Sequence, residues 1–117
     1  MSRSAAREEA FKILFQLDFN DENERKHKHA FTTQLVNGIV EQKEKIDQII
    51  KDHLENWSFD RLAQVEKTIL RIATYEIAFL DDIPNGVSIN EAVELANKYG
   101  DEKSGKFING VLAKIIA

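Results

Sequence analysis

Basic side chains lie next to phenylalanines at the start of this chain. Arg3 and Arg7 are four residues apart, and Phe11 and Phe15 continue the spacing. In a helix, residues four apart are neighbours on one flank, where like charges repel. The helix dipole also disfavours cations in the first turns. Both penalties suggest an anionic partner such as a phosphate. The alternative is that Glu8 and flexible arginine stems reduce the repulsion at little cost.

The C-terminal segment repeats this arrangement around Phe107. Lys103, Lys106 and Lys114 form a polar edge beside it, and Gly110 leaves room there for close approach of a nucleotide or a second backbone. Cations interleaved with aromatic rings suit single-stranded RNA, because phosphates take the charge while bases stack on the rings. The alternatives are a solvated lysine edge and phenylalanines that pack against neighbouring helices or a protein partner.

Glu76 has an unusual position, because it falls inside the apolar arc of a predicted helix. A buried carboxylate needs hydrogen bonds or a positive partner, or it takes up a proton. Tyrosine or asparagine side chains, or free amides at the helix start near Ser88, are candidate partners. No second positioned acid or base accompanies it, so a structural role is favoured over catalysis.

The rest of the sequence argues against enzyme chemistry. The chain has no Cys, which excludes a thiolate nucleophile and a Cys-type zinc site. His27 and His29 lie two apart in a polar loop and His53 is isolated, so we expect no metal site. A Gly-rich phosphate loop, a nucleophile elbow and a zinc-protease motif are also missing. We therefore expect no catalytic residue and no cofactor.

Length and charge limit the remaining possibilities. A chain of 117 residues predicts one domain. We find no apolar segment long enough to cross a bilayer and no signal peptide, so we expect a cytoplasmic protein without a membrane partner. The net charge is −4, and RNA contacts must therefore come from local patches.

Apolar spacing close to 3.6 residues predicts an all-α fold. The predicted helices span about 4–18, 30–40, 42–55, 59 or 60–80, and 88–99, followed by a last helix that Asp101 caps. Residues 20–28 are nearly all polar and predict a solvated loop. We expect Trp57 to close the apolar stripe of the third helix. The fourth helix has a wide apolar arc and should touch several neighbours. Ser88 and Glu91 fit a capping box for the fifth helix.

Several motifs combine particular polar residues with the apolar ones that a helical pattern requires. The motifs are Arg-x-x-Ala-Arg-Glu from Arg3, Leu14-Phe15-Gln16, Val65-Glu66-Lys67, Leu70-Arg71-Ile72-Ala73, Ile89-Asn90-Glu91-Ala92 and Lys106-Phe107-Ile108-Asn109-Gly110. Together they resemble the NusB family of transcription antitermination proteins, clearly over 3–19 and 62–115. The resemblance implies a NusB-like domain spanning 1–117, with helical subdomains of roughly 1–57 and 58–117.

The resemblance also implies a function without an active site. It implies binding of boxA RNA in the leaders of ribosomal RNA operons, together with the ribosomal protein NusE. The pair acts with other Nus factors to help RNA polymerase read through terminators. By family match, the RNA contacts are Arg3, Ser4, Arg7, Lys103, Ser104, Lys106, Phe107 and Asn109. Phe15 and Glu66 match positions that face NusE.

This chain differs from some of its relatives in two features. Some relatives have a denser arginine run at the N-terminus, so the affinity of this chain for RNA alone should be low and depend on NusE. Its middle is also shorter than in many members.

A helical protein–protein interaction module without an RNA role is the alternative function. The oligomeric state stays open, including a homo-oligomer that forms through the same surface.

Overall fold

The computed structural model describes residues 2–17 and 29–117, which form an all-α arrangement. Its helices are α1 (Arg3–Leu17), α2 (Ala30–Glu41), α3 (Lys43–Asp52), α4 (Gln64–Phe79), α5 (Asn85–Tyr99) and α6 (Glu102–Ile116). This confirms the predicted fold class. The predicted loop at 20–28 and His27 lie outside the described residues. No helix of the described part is long and apolar enough to span a membrane.

The first two helices bury the faces that their spacing predicts. Ala6, Ala10, Ile13 and Leu14 of α1 are buried, as are Phe31, Leu35, Val36 and Ile39 of α2. Phe11 is an exception, because the sequence placed it on the flank of Arg3 and Arg7, where a base could stack on its ring. Instead it is only 3% exposed, and its ring lies 4.7 Å from that of Tyr99 between centroids. The C-terminal end of α5 therefore covers a flank of α1 that the sequence suggested was open.

Helix α4 is the centre of the fold, since it packs against all five other helices. This confirms the prediction of several neighbours. The expected continuous helix from 59 or 60 is wrong, because Phe59–Arg61 form a separate 3₁₀ turn and Leu62 and Ala63 are extended. The break lets both Phe59 and Leu62 bury their side chains. The Phe59 ring lies under the Arg71 guanidinium, 5.4 Å from its centroid.

The beginning of α5 differs from the predicted capping box. The helix starts at Asn85, directly after Pro84, so Ser88 lies inside its first turns. The Ser88 hydroxyl donates to Glu76 Oε1 at 2.8 Å, and Glu91 accepts from side chains of α1. The capping-box prediction is therefore wrong, because both side chains face α4 and α1 instead of the helix end.

The predicted cap of α6 is confirmed. The Asp101 carboxylate accepts a hydrogen bond from the Ser104 amide at 2.8 Å. This bond lowers the pKa of Asp101, because it stabilises the ionised carboxylate. Gly100 ends α5, and its amide donates to the Ala96 carbonyl at 2.8 Å.

One glycine allows a close helix contact. A Cβ at Gly38 of α2 would lie 2.1 Å from the hydroxyl oxygen and 2.2 Å from the Cζ of Tyr75. Tyr75 belongs to α4, is 8% exposed and stacks on Phe79 with 5.4 Å between ring centroids. Burial raises the pKa of the Tyr75 hydroxyl, and the nearby Glu41 carboxylate adds to this. The absence of a side chain at Gly38 thus permits α2 to pack on the phenol.

Candidate nucleic-acid interface

Arg3 lies on the surface, but it has an anionic partner within the chain. Its guanidinium lies 3.4 Å from Asp82 Oδ2, with the two side chains 51% and 68% exposed. It also lies over the Phe31 ring, 4.7 Å from the centroid. An ion pair this exposed contributes little free energy. Arg3 therefore remains available to a stronger anionic ligand.

Arg7 is in the interior, so the expectation that it forms part of an exposed cationic edge is wrong. Its guanidinium is 3% exposed and donates two hydrogen bonds of 2.8 Å to the Glu76 carboxylate. A third bond of 3.1 Å runs to Glu91 Oε1. The anion that offsets the helix-dipole penalty of Arg7 thus comes from α4 and α5.

Arg7 is the positive partner that the buried Glu76 carboxylate requires. Burial alone lowers the pKa of Arg7, but the hydrogen bonds and charges of Glu76 and Glu91 outweigh it and raise the pKa above its ordinary value. The Ser88 hydroxyl supplies the remaining bond to Glu76. Ser4 donates to Glu91 at the outer end of the network. We call these five residues the buried ion network; it ties α1 to α4 and α5.

The surface beside Ser4 is acidic, contrary to a basic N-terminal patch. An open groove of about 240 Å³ between α1 and α5 is lined by Ser4, Glu8, Glu91, Glu94 and Lys98, among others. Lys98 Nζ lies 2.6 Å from Glu8 Oε2. This hydrogen bond lowers the pKa of Glu8 and raises that of Lys98. The paired lysine leaves the remaining carboxylates in excess, which disfavours RNA on this face.

The second predicted edge is exposed along α6. Lys103, Lys106 and Asn109 face solvent, whereas Ser104 and Phe107 are half-buried. Lys106 is 80% exposed and its nearest acidic partner, Glu102, is at 4.0 Å. An added Cβ at Gly110 would meet no atom within 4 Å, so this edge is open as predicted. The cations of this edge are therefore accessible to phosphate.

Trp57 belongs to this surface, although its apolar ring predicted a position that closes the apolar stripe of α3. Its side chain is 62% exposed and meets the Phe107 ring edge-on, with centroids 5.8 Å apart. We call these two residues the aromatic pair. The prediction that Trp57 closes the apolar stripe of α3 is wrong because α3 ends at Asp52 and the chain turns outward at Asn56, where φ is 64°. The sequence signal for this exposure was a single Trp next to an Asn within a polar stretch.

Open grooves flank the aromatic pair on both sides. The first, of about 280 Å³, is lined by Leu62, Glu66, Asp101, Lys103 and Ser104 together with the pair. The second, of about 250 Å³, has Lys106, Lys114, Gly110, His53 and Glu55 among its lining residues. We call them the acidic groove and the lysine groove. They bring Glu66, predicted to face a protein, next to residues predicted to contact RNA.

The residues predicted to bind NusE are on different elements. Phe15 of α1 is half-buried and lies 5.8 Å from the Phe11 ring, between centroids. Glu66, in the first turn of α4, is half-buried in the acidic groove.

Helix α5 connects the two predicted RNA edges. Arg3 pairs with Asp82, just before α5 begins, whereas Lys103 follows shortly after α5 ends. A helix of 15 residues is about 22 Å long at a rise of roughly 1.5 Å per residue. Between these ends, α1 contacts α5 through Glu8 and Phe11. Arg3 and Lys103 therefore lie near opposite ends of one short helix.

The histidines within the described range have structural partners. His29 caps α2, since its Nδ1 accepts from the Phe31 amide at 3.1 Å. His53 Nδ1 is 2.7 Å from the Ile49 carbonyl oxygen, so it carries the proton in this bond. Within 2–17 and 29–117, no cluster of three or more His, Asp or Glu side chains could hold a metal ion.

Comparison with known proteins gives a consistent result along the whole chain. The family model described as NusB family matches residues 4–117. Transcription antitermination protein NusB of Oceanobacillus iheyensis is 52% identical, with 100% of both chains covered. The protein of the same name from Bacillus licheniformis is 53% identical, covering 98% of this chain and 96% of the relative.

Solved structures agree with the sequence relatives. NusB of T. maritima superposes with a TM-score of 0.86 at 39% identity, covering 98% of this chain and 90% of that one. A chain in the crystal structure of antitermination factors NusB and NusE with double-stranded RNA gives 0.84 at 38% identity, covering 97% and 94%. A chain in the crystal structure of a plectonemic RNA supercoil gives 0.88 at 38%, covering 97% and 93%.

Proposed function

The chain belongs to the NusB family, and on this premise we propose that it is a non-enzymatic, RNA-binding transcription antitermination factor. It binds boxA RNA of ribosomal RNA operon leaders together with the ribosomal protein NusE. In the cytoplasm it supports processive transcription by RNA polymerase with the other Nus factors. The relatives named above carry the antitermination role, and a structure 38% identical in sequence contains NusB, NusE and RNA.

The observation that carries this proposal is the exposed edge of α6. Lys103 and Lys106 face solvent beside the half-buried Phe107, within a chain of net charge −4. Cations gathered beside an accessible ring suit a strand that offers phosphates and unpaired bases. The mechanism is positioning: lysines hold phosphates while Ser104, Phe107 and Asn109 meet sugars and bases.

The N-terminal contribution is smaller than the family match implies. Arg3 supplies a phosphate contact once it leaves Asp82, whereas the Ser4 hydroxyl donates to Glu91 beside the carboxylate-lined groove between α1 and α5 and contributes little. Arg7 acts as a positioning residue, because its donors bind Glu76 and Glu91. This division supports a low affinity for RNA alone and a requirement for NusE.

The partner protein covers the surface around Glu66 and Phe15 in this proposal. Glu66 provides negative charge in the acidic groove, and Phe15 provides apolar area on α1. Residues 1–117 act as one RNA-binding domain with subdomains of roughly 1–57 and 58–117. Helix α4, which contacts all other helices, joins them.

The test is binding of labelled boxA RNA with and without NusE over a salt series. With three or four phosphate contacts, log K should fall against log salt with a slope of about −2 to −3. Lys103→Glu with Lys106→Glu should weaken binding at unchanged helicity. The control is Lys45→Glu with Lys51→Glu, which makes the same charge change on α3. If both double variants bind RNA like the natural chain, the proposed surface is wrong.

A purely protein-binding module is the second candidate, and the groove between α1 and α5 that begins at Ser4 favours it. Glu8, Glu91 and Glu94 line that groove and would repel phosphate. Under this hypothesis the chain binds NusE, or a second copy of itself, with the same affinity whether or not RNA is present. Calorimetric titration of NusE with and without boxA RNA separates the two candidates, because RNA-linked binding must tighten when RNA is added.

A further inference from the structure

We propose that Trp57 is an RNA-contacting residue, and that an unpaired base stacks on its indole at the lysine groove. This rests on the proposed RNA-binding function and adds a residue from the segment between α3 and α4. The ligand is single-stranded RNA, with one base against the indole and its phosphate near Lys106 and Lys114.

The exposure of Trp57 is the first argument. Tryptophan is a large, mostly apolar side chain, and such residues are usually largely covered in a folded domain. Trp57 is instead 62% exposed, and its ring meets Phe107 at an interplanar angle of 68°. An edge-on contact fixes the indole while leaving much of its surface in solvent. This provides a preformed platform for a flat ligand.

The backbone next to Trp57 supports a fixed position. Asn56 is the one non-glycine residue of the described part with positive φ, at 64°. Asparagine tolerates this left-handed conformation better than most residues do. The turn at Asn56 carries the chain away from the end of α3 and sets Trp57 against α6. The platform is therefore held by the backbone on one side and by Phe107 on the other.

Charge selects the groove that receives the RNA. The lysine groove has Lys106 and Lys114 against Glu55, whereas the acidic groove has Glu66 and Asp101 against Lys103. A phosphate next to the stacked base is therefore favoured on the lysine side, where cations outnumber carboxylates. Lys103 and Ser104, on the other side of the aromatic pair, contact a neighbouring nucleotide of the same strand in this proposal.

Lys114 is already held at the groove by a weak partner. Its Nζ lies 2.9 Å from Glu55 Oε2, and the two side chains are 47% and 73% exposed. Ion pairs with this exposure have little strength, so a phosphate can replace the carboxylate. Removing the charge of Glu55 should therefore strengthen RNA binding.

The experiment uses the full chain and its only tryptophan as the probe. Short single-stranded boxA RNA is titrated with and without NusE, following RNA anisotropy and the change in Trp57 emission relative to NusE alone. We expect the emission to change along the same curve as the anisotropy. Trp57→Ala should weaken binding by about 5- to 100-fold, whereas Trp57→Phe should stay within about threefold because it keeps an aromatic face. Glu55→Gln should tighten binding.

The matched control is Val40→Ala, which removes another exposed apolar side chain, 55% exposed on α2. It should leave RNA affinity unchanged. If RNA binds but Trp57→Ala stays within about twofold and the emission is constant, the Trp57 assignment is overturned while the proposed function stands. If Trp57→Ala weakens only NusE binding, the surface is a protein interface and the assignment also fails. If the natural chain binds no RNA even with NusE, both proposals are overturned.

Discussion

Replacing Arg7 tests the buried ion network most directly. Arg7→Met keeps an apolar stem but leaves the Glu76 carboxylate, 1% exposed, with the Ser88 hydroxyl as its remaining hydrogen-bond donor. Removing one partner of a buried ion pair costs about 3–5 kcal/mol, because the other charge stays buried without compensation. A domain of this size has a total stability of about 5–15 kcal/mol. The single substitution should therefore remove a large part of it.

Replacing Glu76 should lower the free energy of unfolding less than replacing Arg7 does. Glu76→Gln removes the buried negative charge, and Arg7 keeps its bond of 3.1 Å to Glu91, which is 19% exposed. We therefore expect a loss near the lower end, about 3 kcal/mol. Combining Arg7→Met with Glu76→Gln should be more stable than Arg7→Met alone by at least about 1 kcal/mol, because the double variant has no orphaned carboxylate.

The assay is urea unfolding followed by far-UV circular dichroism, with the free energy of unfolding obtained by linear extrapolation. Arg7→Lys provides a milder variant that keeps the charge and loses the two-pronged contact, should Arg7→Met be unfolded without urea. If Arg7→Met loses less than about 1 kcal/mol, or Glu76→Gln lowers the stability of Arg7→Met further, the pair does not stabilise the fold as argued.

Four further predictions concern the cap, the N-terminal cation and two glycines. Asp101→Ala should lower the free energy of unfolding at neutral pH, and because the folded pKa lies below 3.8 the difference should shrink as the pH falls through that region; a pH series of urea titrations checks this. Asp82→Asn should free Arg3 and tighten RNA binding, whereas Arg3→Gln should make the salt slope of RNA binding shallower by about 0.7, and an unchanged slope for Arg3→Gln would exclude Arg3 from the contacts. Gly38→Ala should destabilise the protein by about 1–3 kcal/mol because the new methyl meets the packed phenol. Gly110→Ala should stabilise it by about 0.5–1 kcal/mol in the same thermal or urea assay, since the helix gains propensity without a clash.

The sequence predicted best what depends on periodicity alone. The apolar spacing of α2 predicted its buried apolar residues, Phe31 among them, but not the buried Thr32, and the Asp101 cap followed from residue type and position. These features are local, and the local sequence contains the information. The start of α4 was predicted less well, because Phe59 and Leu62 have helical spacing but are buried through an extended break.

The site was harder to predict, because it depends on which helix covers which flank. Arg7 is a cation in the first turns of α1 and Glu76 is an acid inside the apolar arc of α4, and both are unusual because each is half of one buried pair. A cation and an acid that both occupy positions suited to apolar residues, on different helices, indicate a contact between Arg7 and Glu76. Trp57 was missed because apolar character alone predicts burial, whereas its exposure is set by the turn at Asn56 and by the position of α6.

The buried ion network also has a consequence for synthesis on the ribosome. Arg7 is made early, but Glu76 follows 69 residues later and Glu91 84 residues later. At roughly 5–20 residues per second, the first helix waits about 3–14 s for its counter-charge. During that interval α1 can pack on α2 but has no α4 to cover the rest of its apolar face. Docking of α1 onto α4 and α5 therefore has to wait until most of the chain has been made.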